Sequence, residues 1–248
     1  MRGFWPIFKR ELLAQVVTPV AWVLAVAFLL LQGLFFFLLV ANFASQQDVI
    51  LGAGPVEAFF GQTALFYFPL AIICPMLTMR LFAEERRTGT IEALLTAPVG
   101  TAGVVLGKYL AAFAVYLGLW APTVLYLVLL SRFGEIDVRL VATGYLGTAL
   151  VGAAYLSIGT LASAMTSSQL AAAVGGAAFI LLLFAFGFAE FFLEAGPSRD
   201  IASHISVWAT MNDLSRGLVD SRRLVFWGAL IVVPLFVTVR TVESWRWG

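Results

Sequence analysis

Residues 20–41 read VAWVLAVAFLLLQGLFFFLLVA and contain no charged side chain. The hydrocarbon core of a bilayer is about 30 Å thick and is crossed by an α-helix of about 20 apolar residues, so this stretch is long enough to span a membrane. The whole chain has the same character: 61% of its 248 residues are hydrophobic, 12% are charged and the mean hydropathy is +0.97. Soluble domains carry about 25% charged residues. The sequence therefore predicts an integral membrane protein.

Further apolar runs predict five more membrane spans. The runs are continuous and lack the apolar–polar alternation of barrel strands, which favours helices. The predicted fold class is an all-α integral membrane protein in which one transmembrane domain covers residues 1–248. Its six transmembrane helices are expected at about residues 20–41, 59–82, 104–130, 138–165, 170–189 and 224–242.

The positions of the Lys and Arg residues predict the orientation, because cytoplasmic loops carry an excess of them. With six spans, both termini lie on one side of the membrane. Six of the fifteen basic residues fall on the opposite side, and the other nine share the side of the termini: Arg2, Lys9, Arg10, Arg80, Arg86, Arg87, Lys108, Arg240 and Arg246. We therefore expect a multi-pass protein of the bacterial inner membrane with both termini in the cytoplasm.

Charge and cysteine content exclude several classes of protein. Fifteen basic against fourteen acidic residues, a net charge of +1, create no field that would attract nucleic acid. The single cysteine, Cys74, lies in an apolar run, which excludes a disulfide framework or a thiolate metal site. No ionisable side chain lies near the centre of any apolar run, whereas ion-coupled transporters keep such groups at mid-membrane. Energy for any transport is therefore expected to come from a partner.

The signatures of enzymes are incomplete in this chain. His204, the sole histidine, lies in an external stretch without the serine motif of a hydrolase. The pair Glu84–Glu85 begins like the E-E-x-x-x-R pattern of glutamate-type membrane proteases, but Gly89 stands at the arginine position. Gly107–Lys108 lacks the remaining residues of a phosphate-binding loop. We predict that the chain is not an enzyme and itself holds no catalytic residue, metal or cofactor.

Charge is concentrated between the second and third spans, in residues 79–99, MRLFAEERRTGTIEALLTAPV. The second span is predicted to continue as a helix into this segment until Gly89 ends it. The continuation carries four charged residues, Glu84, Glu85, Arg86 and Arg87.

A second short helix is predicted directly after Gly89. Thr90 is a good N-cap, and Glu92 lies in the first turn, where the helix dipole favours an acid. Pro98 ends the helix. Three aliphatic residues at i, i+3 and i+4 spacing share one of its faces, namely Ile91, Leu94 and Leu95.

Two interpretations of this apolar face are open on these residues alone. The helix could lie in the membrane interface with its leucines toward lipid. Alternatively, its face could fit a groove on a soluble partner, with the four charges of residues 84–87 fixing the orientation at the rim.

The stretch FAEERRTGTIEALLTAPV, residues 82–99, resembles the E-E-[KR]-x-x-G-T-[IL]-E-x-L-L-x-x-P signature of ABC-2 type transporter permeases. Residues 8–12, FKREL, resemble the N-terminal F-x-K-E-L of that family, and Thr18-Pro19 resembles its break before the first span. Residues 212–220 and 237–243 resemble its C-terminal patterns. Within the family the chain most resembles the six-span permeases of gliding-motility type, with the copper-maturation permease beside nitrous oxide reductase as a near relative.

The resemblance implies a coupling helix over residues 90–97, which transmits closure of a separate nucleotide-binding subunit to the spans. The implied interface with that ATPase subunit consists of Glu84, Glu85, Arg86, Arg87, Gly89, Thr90, Ile91, Glu92, Leu94, Leu95 and Pro98.

The resemblance also implies an amphipathic connecting helix over residues 3–16 and short external helices over residues 190–220 that gate an exit. A plain extracellular loop is the competing interpretation of residues 190–220. In the connecting helix, which includes Lys9, Arg10 lies opposite an apolar face on a 3.6-residue period. That face consists of Phe4, Trp5, Phe8, Leu12 and Val16.

Small residues recur along the fourth predicted span and allow helix backbones to approach closely in lipid. The stripe serves either tight packing within one subunit or a seam between two subunits. Its members are Gly144, Thr148, Gly152, Gly159 and Ser163.

The predicted function is that of the permease subunit of an ATP-driven ABC-2 type transporter, an exporter by resemblance. The expected partners are two cytoplasmic ATPase subunits that bind ATP and Mg²⁺, a second or related permease, and membrane lipid, but no nucleic acid. One alternative is a motor or scaffold subunit that acts on a periplasmic-domain protein and transports nothing. The other is a lipid-modifying membrane enzyme, for which the chain lacks a recognisable catalytic constellation.

Overall fold

A computed structural model of the chain describes residues 4–44, 54–61, 67–91, 99–132, 137–194 and 196–245. These residues form helices joined by turns, and no strand occurs among them. Two short 3-10 turns, Ala121–Thr123 and Ala189–Phe191, prolong two of the helices. The α-helices are α1 (Phe4–Val17), α2 (Pro19–Ala44), α3 (Pro55–Gly61), α4 (Leu70–Thr78), α5 (Ala83–Thr88), α6 (Thr101–Trp120), α7 (Val124–Leu130), α8 (Val138–Met165), α9 (Gln169–Phe188), α10 (Pro197–Ile205), α11 (Val207–Ser215) and α12 (Ser221–Ser244).

Within the described residues, five helical segments are long and apolar enough to cross a membrane. They correspond to the first, third, fourth, fifth and sixth predicted spans, and the all-helical membrane fold class is confirmed. The segments are Pro19–Ala41, Thr101–Leu130, Val138–Met165, Gln169–Phe191 and Ser221–Ser244.

The second predicted span, residues 59–82, is not one helix that continues to Arg87, so that prediction is wrong. The described part of this region consists of the short helices α3, α4 and α5, and residues 62–66 lie outside the described part. Pro69 immediately precedes α4, where its missing N–H is not needed, whereas Pro75 lies inside that helix. Residues 79–82 form a second break, in which backbone groups bond to a side chain of another helix.

The helix α8 lies at the centre of the molecule. In its most apolar stretch 72% of the residues are buried inside the protein, against 17–33% in the other four long segments. It packs against α3, α4, α5, α6, α9, α11 and α12. Since lipid supplies no hydrophobic force between helices, such packing depends on close contact and on hydrogen bonds.

The small residues of α8 provide this close contact within one chain, which supports the first of the two interpretations of the stripe. A Cβ atom on Gly152 would overlap the ring of Tyr116 from α6, and one on Gly159 would overlap the hydroxyl of Thr78 from α4. The Tyr116 ring is fixed in turn, because its hydroxyl donates to the carbonyl of Thr148 at 2.8 Å. A second tyrosine of α6, Tyr109, donates to the carbonyl of Ala153 at 3.0 Å.

An elbow at Thr18 separates α1 from α2, as the Thr18-Pro19 break predicted. The Thr18 hydroxyl donates to the carbonyl of Ala14 at 2.6 Å, and the Trp22 indole donates to the carbonyl of Val16 at 2.8 Å. Both bonds satisfy carbonyl groups at the end of α1, which would otherwise lack helical partners.

The opposite end of the molecule holds the short helices α10 and α11, so residues 190–220 are not a plain loop. Pro197 is the first residue of α10, a position that suits proline. The helix α11 packs against α3 and α8, and Trp227 of α12 donates to the Thr210 hydroxyl at 3.1 Å. Arg223 and Asp213 form an ion pair at 2.8 Å beside it.

Replacing Gly152 with Ala should lower the free energy of unfolding by about 1–3 kcal/mol, the usual effect of overpacking a core. The added methyl group meets a tyrosine ring that is held by its own hydrogen bond. The unfolding midpoint of the purified chain in mild detergent, followed by tryptophan fluorescence, measures the change.

The matched control is Gly175→Ala in α9, where an added Cβ meets no atom within 4 Å. Its midpoint should stay at or above that of the parent protein. Equal destabilisation by the two substitutions would contradict the role of close packing at Gly152.

Candidate functional site

The charged helix α5 carries the four residues Glu84, Glu85, Arg86 and Arg87 between two breaks in the backbone. It follows the turn at residues 79–82 and ends at Gly89, whose φ of 73° is left-handed. The predicted break at Gly89 is therefore present, at a conformation that glycine adopts without a steric penalty.

Ser163, near the end of α8, holds the turn that precedes α5. Its hydroxyl oxygen accepts from the backbone N–H groups of Phe82 at 3.1 Å and Ala83 at 3.2 Å. The same hydroxyl donates to the carbonyl of Met79 at 2.9 Å. One buried side chain thus replaces the helical hydrogen bonds that the break removes, and it ties the turn to the central helix.

Glu85 lies in a charge cluster that joins α5 to α1 and α6. One of its carboxylate oxygens, Oε1, accepts from Lys108 Nζ at 2.9 Å and from Arg10 Nη2 at 3.1 Å. Lys108 Nζ also donates to Glu11 Oε2 at 3.2 Å. The lysine side chain is 1% exposed, and its ammonium lies 5.4 Å from the centre of the Phe82 ring. The two carboxylates, both of which also lie within 4 Å of Arg10, therefore balance the arginine and a lysine that water does not reach.

The other charges of α5 connect it to three more helices. Glu84 accepts from the amide of Gln169 at the start of α9. Arg86 Nη1 donates to the carbonyl of Ala164 in α8 at 3.2 Å, and its guanidinium lies 4.8 Å from the centre of the Trp245 ring at the end of α12. Glu84, Glu85 and Arg86 therefore each contact another helix of the same chain.

Arg87 is the charged residue of α5 that stays exposed. Its Nη2 donates to Glu84 Oε1 at 2.6 Å within the same helix. This hydrogen bond, together with the negative charge of Glu84, raises the pKa of the Arg87 guanidinium further above its usual value. The Thr88 and Thr90 hydroxyls lie 2.9 Å apart on the same exposed surface.

The predicted coupling helix lies largely outside the described residues. Glu92, Leu94, Leu95 and Pro98 fall in residues 92–98, of which the structure describes nothing. Thr90 is exposed, and Ile91 is partly buried against the hydrophobic core of the chain. The interface predicted for residues 84–98 stays a prediction.

A helix, α1, occupies the residues of the predicted connecting helix. Ile7 is its buried residue and packs against Gly107 of α6, where no side chain stands in the way. Trp5, from the predicted apolar face, is 57% exposed, and Lys9 lies 5.3 Å from the centre of its ring. Phe4, Phe8 and Leu12 are partly buried. The side of α1 that packs against the protein is held by the ion pairs of Arg10 and Glu11 as well as by apolar contact.

Sequence reasoning missed three members of this site, namely Glu11, Lys108 and Ser163. A signal for Lys108 was available, because a lysine just inside an apolar span requires a partner. Its two carboxylates come from α1 and α5, and the sequence does not indicate which acids approach it. Ser163 was recognised as a small residue only.

Residues 40–215, more than half of the chain, match the model of the ABC-2 family transporter protein. The chain belongs to this ABC transporter family. It is therefore a transmembrane permease subunit, which in this family is not itself the ATPase. No curated protein matches the chain.

Within this permease, a double-mutant cycle should show that Lys108 and Glu85 are strongly coupled. We expect Lys108→Met and Glu85→Gln to have a coupling free energy of about 1–3 kcal/mol, because the first change leaves Glu85 with Arg10 alone and the second leaves the buried Lys108 with Glu11 alone. Reversible unfolding in mixed micelles measures it.

The exposed pair Arg240 and Glu243, 3.0 Å apart on α12, serves as the control cycle. Its coupling should stay below about 1 kcal/mol, as for other exposed ion pairs. Similar coupling energies in the two cycles would show that burial adds nothing at Lys108.

Ser163→Ala should accelerate hydrogen exchange at the amides of Phe82 and Ala83, since both lose their acceptor. A buried backbone N–H without a partner costs about 1–3 kcal/mol, so exchange there should be about tenfold faster or more. Exchange followed by mass spectrometry of the peptide that covers residues 79–88 measures the effect. Ser203→Ala is the control, because that hydroxyl bonds only within α10. Unchanged exchange at residues 82 and 83 would contradict the role of Ser163.

Proposed function

We propose that this permease couples ATP hydrolysis by a separate cytoplasmic subunit to movement of its spans, through residues 90–97. The observation that carries the proposal is the position of α5, which directly precedes these residues. Its contacts reach five other helices: α1, α6, α8, α9 and α12. A force applied after Gly89 would therefore act on most of the bundle through one short, charged helix.

The contacts of α5 suit this role, because they are polar and directional. Charge-assisted hydrogen bonds tie Glu85 to Lys108 and to Arg10 at defined distances. The Ser163 hydroxyl fixes the start of α5 to the central helix. A displacement of the coupling helix would then move α5 and the cytoplasmic ends of its neighbours as one unit, while the hydrocarbon core repacks.

The orientation follows from the distribution of charge along the fold. The end that holds α5 also carries Lys9, Arg10, Arg80, Lys108 and Arg240. We assign this end to the cytoplasm of a bacterial inner membrane, because cytoplasmic loops are enriched in Lys and Arg. Both termini then lie in the cytoplasm, and α10 and α11 lie at the outer surface as candidates for an exit gate.

The complete transporter in this proposal contains two ATPase subunits, which bind ATP and Mg²⁺, and two permease subunits, identical or related. The direction is export, by resemblance to the family. A motor that acts on a periplasmic partner, as in gliding-type permeases, uses the same coupling and differs only in what the outer end contacts.

The test replaces the two leucines of the predicted coupling helix. In complexes reconstituted with the partner ATPase, Leu94→Asp with Leu95→Asp should lower permease-stimulated ATP hydrolysis about tenfold or more, since a charge in an apolar groove is unfavourable. The membrane level of the permease should stay unchanged, because the residues lie outside the predicted spans.

Val138→Asp provides the matched control, since Val138 is 76% exposed at the opposite end of the protein and lies outside the segment proposed to gate an exit. Its ATP hydrolysis should equal that of the parent complex. Full stimulation in the double variant would refute the coupling proposal. Recovery of a periplasmic-domain protein with the complex would favour the motor over the exporter.

A further inference from the structure

A groove lies between the elbow of α1 and α2 and the end of α4, close to the charged helix α5 but separate from it. Its cavity has a volume of about 90 Å³. Polar side chains of Gln15, Thr18 and Arg80 line it, and Leu24, Met76 and Leu77 form its apolar wall.

The amide of Gln15 is the unusual group in this groove. Its Nε2 and Oε1 atoms are both shielded from solvent, and neither has a hydrogen-bond partner among the described residues. Buried polar groups in proteins are normally paired, because leaving one unpaired is unfavourable. Gln15 lines the groove, and an amide combines donors with an acceptor, as suits a ligand with ester or hydroxyl oxygens.

The charge of the groove is positive. Arg80 donates from Nε to Gln169 at 3.2 Å and takes part in none of the ion pairs between described residues. Glu11 also lines the groove, but its carboxylate is balanced by Lys108. The guanidinium of Arg80 is therefore available for an anion, and its planar donors match the oxygens of a phosphate.

The position of the groove sets its depth in the membrane. Trp22 at the start of α2 is exposed, and its indole donates to the carbonyl of Val16 beside the elbow, while Trp5 near the start of α1 is exposed as well. Tryptophan is enriched at the headgroup level of membranes. The elbow therefore lies where a helix along the interface turns into a span, and the apolar wall of the groove faces the acyl region.

We propose that this groove binds the glycerophosphate end of a phospholipid from the adjoining leaflet. Arg80 holds the phosphate, the Gln15 amide bonds the glycerol ester oxygens, and the acyl chains run along Leu24 and Leu77. The bound lipid joins α1 and α2 to α4 and so stabilises the elbow. The binding itself is independent of the coupling function proposed above, which stands or falls by its own experiment.

The test uses the single cysteine, Cys74, which is buried in α4 and reacts with a maleimide dye only when the chain unfolds. The purified full chain in mild detergent is heated with dioleoylphosphatidylglycerol, with dioleoylglycerol or with glycerol 3-phosphate. Saturating phospholipid should raise the midpoint of labelling by about 5 °C or more, and the other two compounds should raise it far less.

Two variants and one control localise the effect. Gln15→Leu removes the unpaired amide and Arg80→Gln removes the charge, so each should need about tenfold more phospholipid for half of the shift. Arg139→Gln makes the same change of charge at the opposite end and should behave as the parent protein. Because Gln15→Leu replaces an unpaired polar group by an apolar one, its lipid-free form is expected to fold.

Three outcomes would overturn the proposal. Equal shifts in the parent and both groove variants would place the lipid elsewhere. A full shift with dioleoylglycerol would show that only apolar contact matters, and a full shift with glycerol 3-phosphate would show a site for a soluble anion. As a second measurement, a photoreactive phosphatidylglycerol should crosslink to peptides that cover residues 11–24 and 76–81, and crosslinks confined to other peptides would refute the assignment.

Discussion

The close approach of α8 to its neighbours is the constraint on which the rest of this permease depends. In lipid, burying a leucine gains little, so a helix becomes central only where its backbone can be reached. The glycines of α8 allow this, because the Tyr116 ring occupies the place of a side chain at Gly152 and the Thr78 hydroxyl occupies it at Gly159. The hydrogen bonds from Tyr109 and Tyr116 to α8 carbonyls depend on the same proximity. The helix α8 is thus held to its neighbours by both van der Waals contact and hydrogen bonds.

At one end, α8 forms hydrogen bonds with the charged helix α5 and with the turn before it. Ser163 and Ala164, the last small residues of α8, accept hydrogen bonds from the turn before α5 and from Arg86. The Lys108 cluster adds α1 and α6 on the other side of α5. Apolar packing therefore dominates the middle of the molecule, whereas directional polar bonds dominate the end where the coupling helix is proposed.

The sequence predicts the long helices well, because a continuous apolar run of sufficient length has few alternatives in a membrane. The elbow at Thr18 and the stop at Gly89 were also predictable, since each depends on a local residue. The break at residues 79–82 was not, because it contains neither proline nor glycine and is stabilised by Ser163, 81 residues away. The sequence likewise indicates that Lys108 needs an acidic partner. It does not identify Glu11 as that partner, because the two residues are 97 positions apart.

The hydrogen bond from the Phe82 N–H to the Ser163 hydroxyl also has a consequence for the synthesis of the protein. A ribosome adds about 5–20 residues per second, so Ser163 appears roughly 4–16 s after Phe82, given their separation of 81 residues. During this interval the amide of Phe82 needs another partner, and within the hydrocarbon an unsatisfied amide is costly. At the membrane surface, water can accept the hydrogen bond of this amide until α8 inserts. The discontinuity in the second span is therefore compatible with stepwise synthesis at the edge of the bilayer, where the nascent chain can wait for its later half.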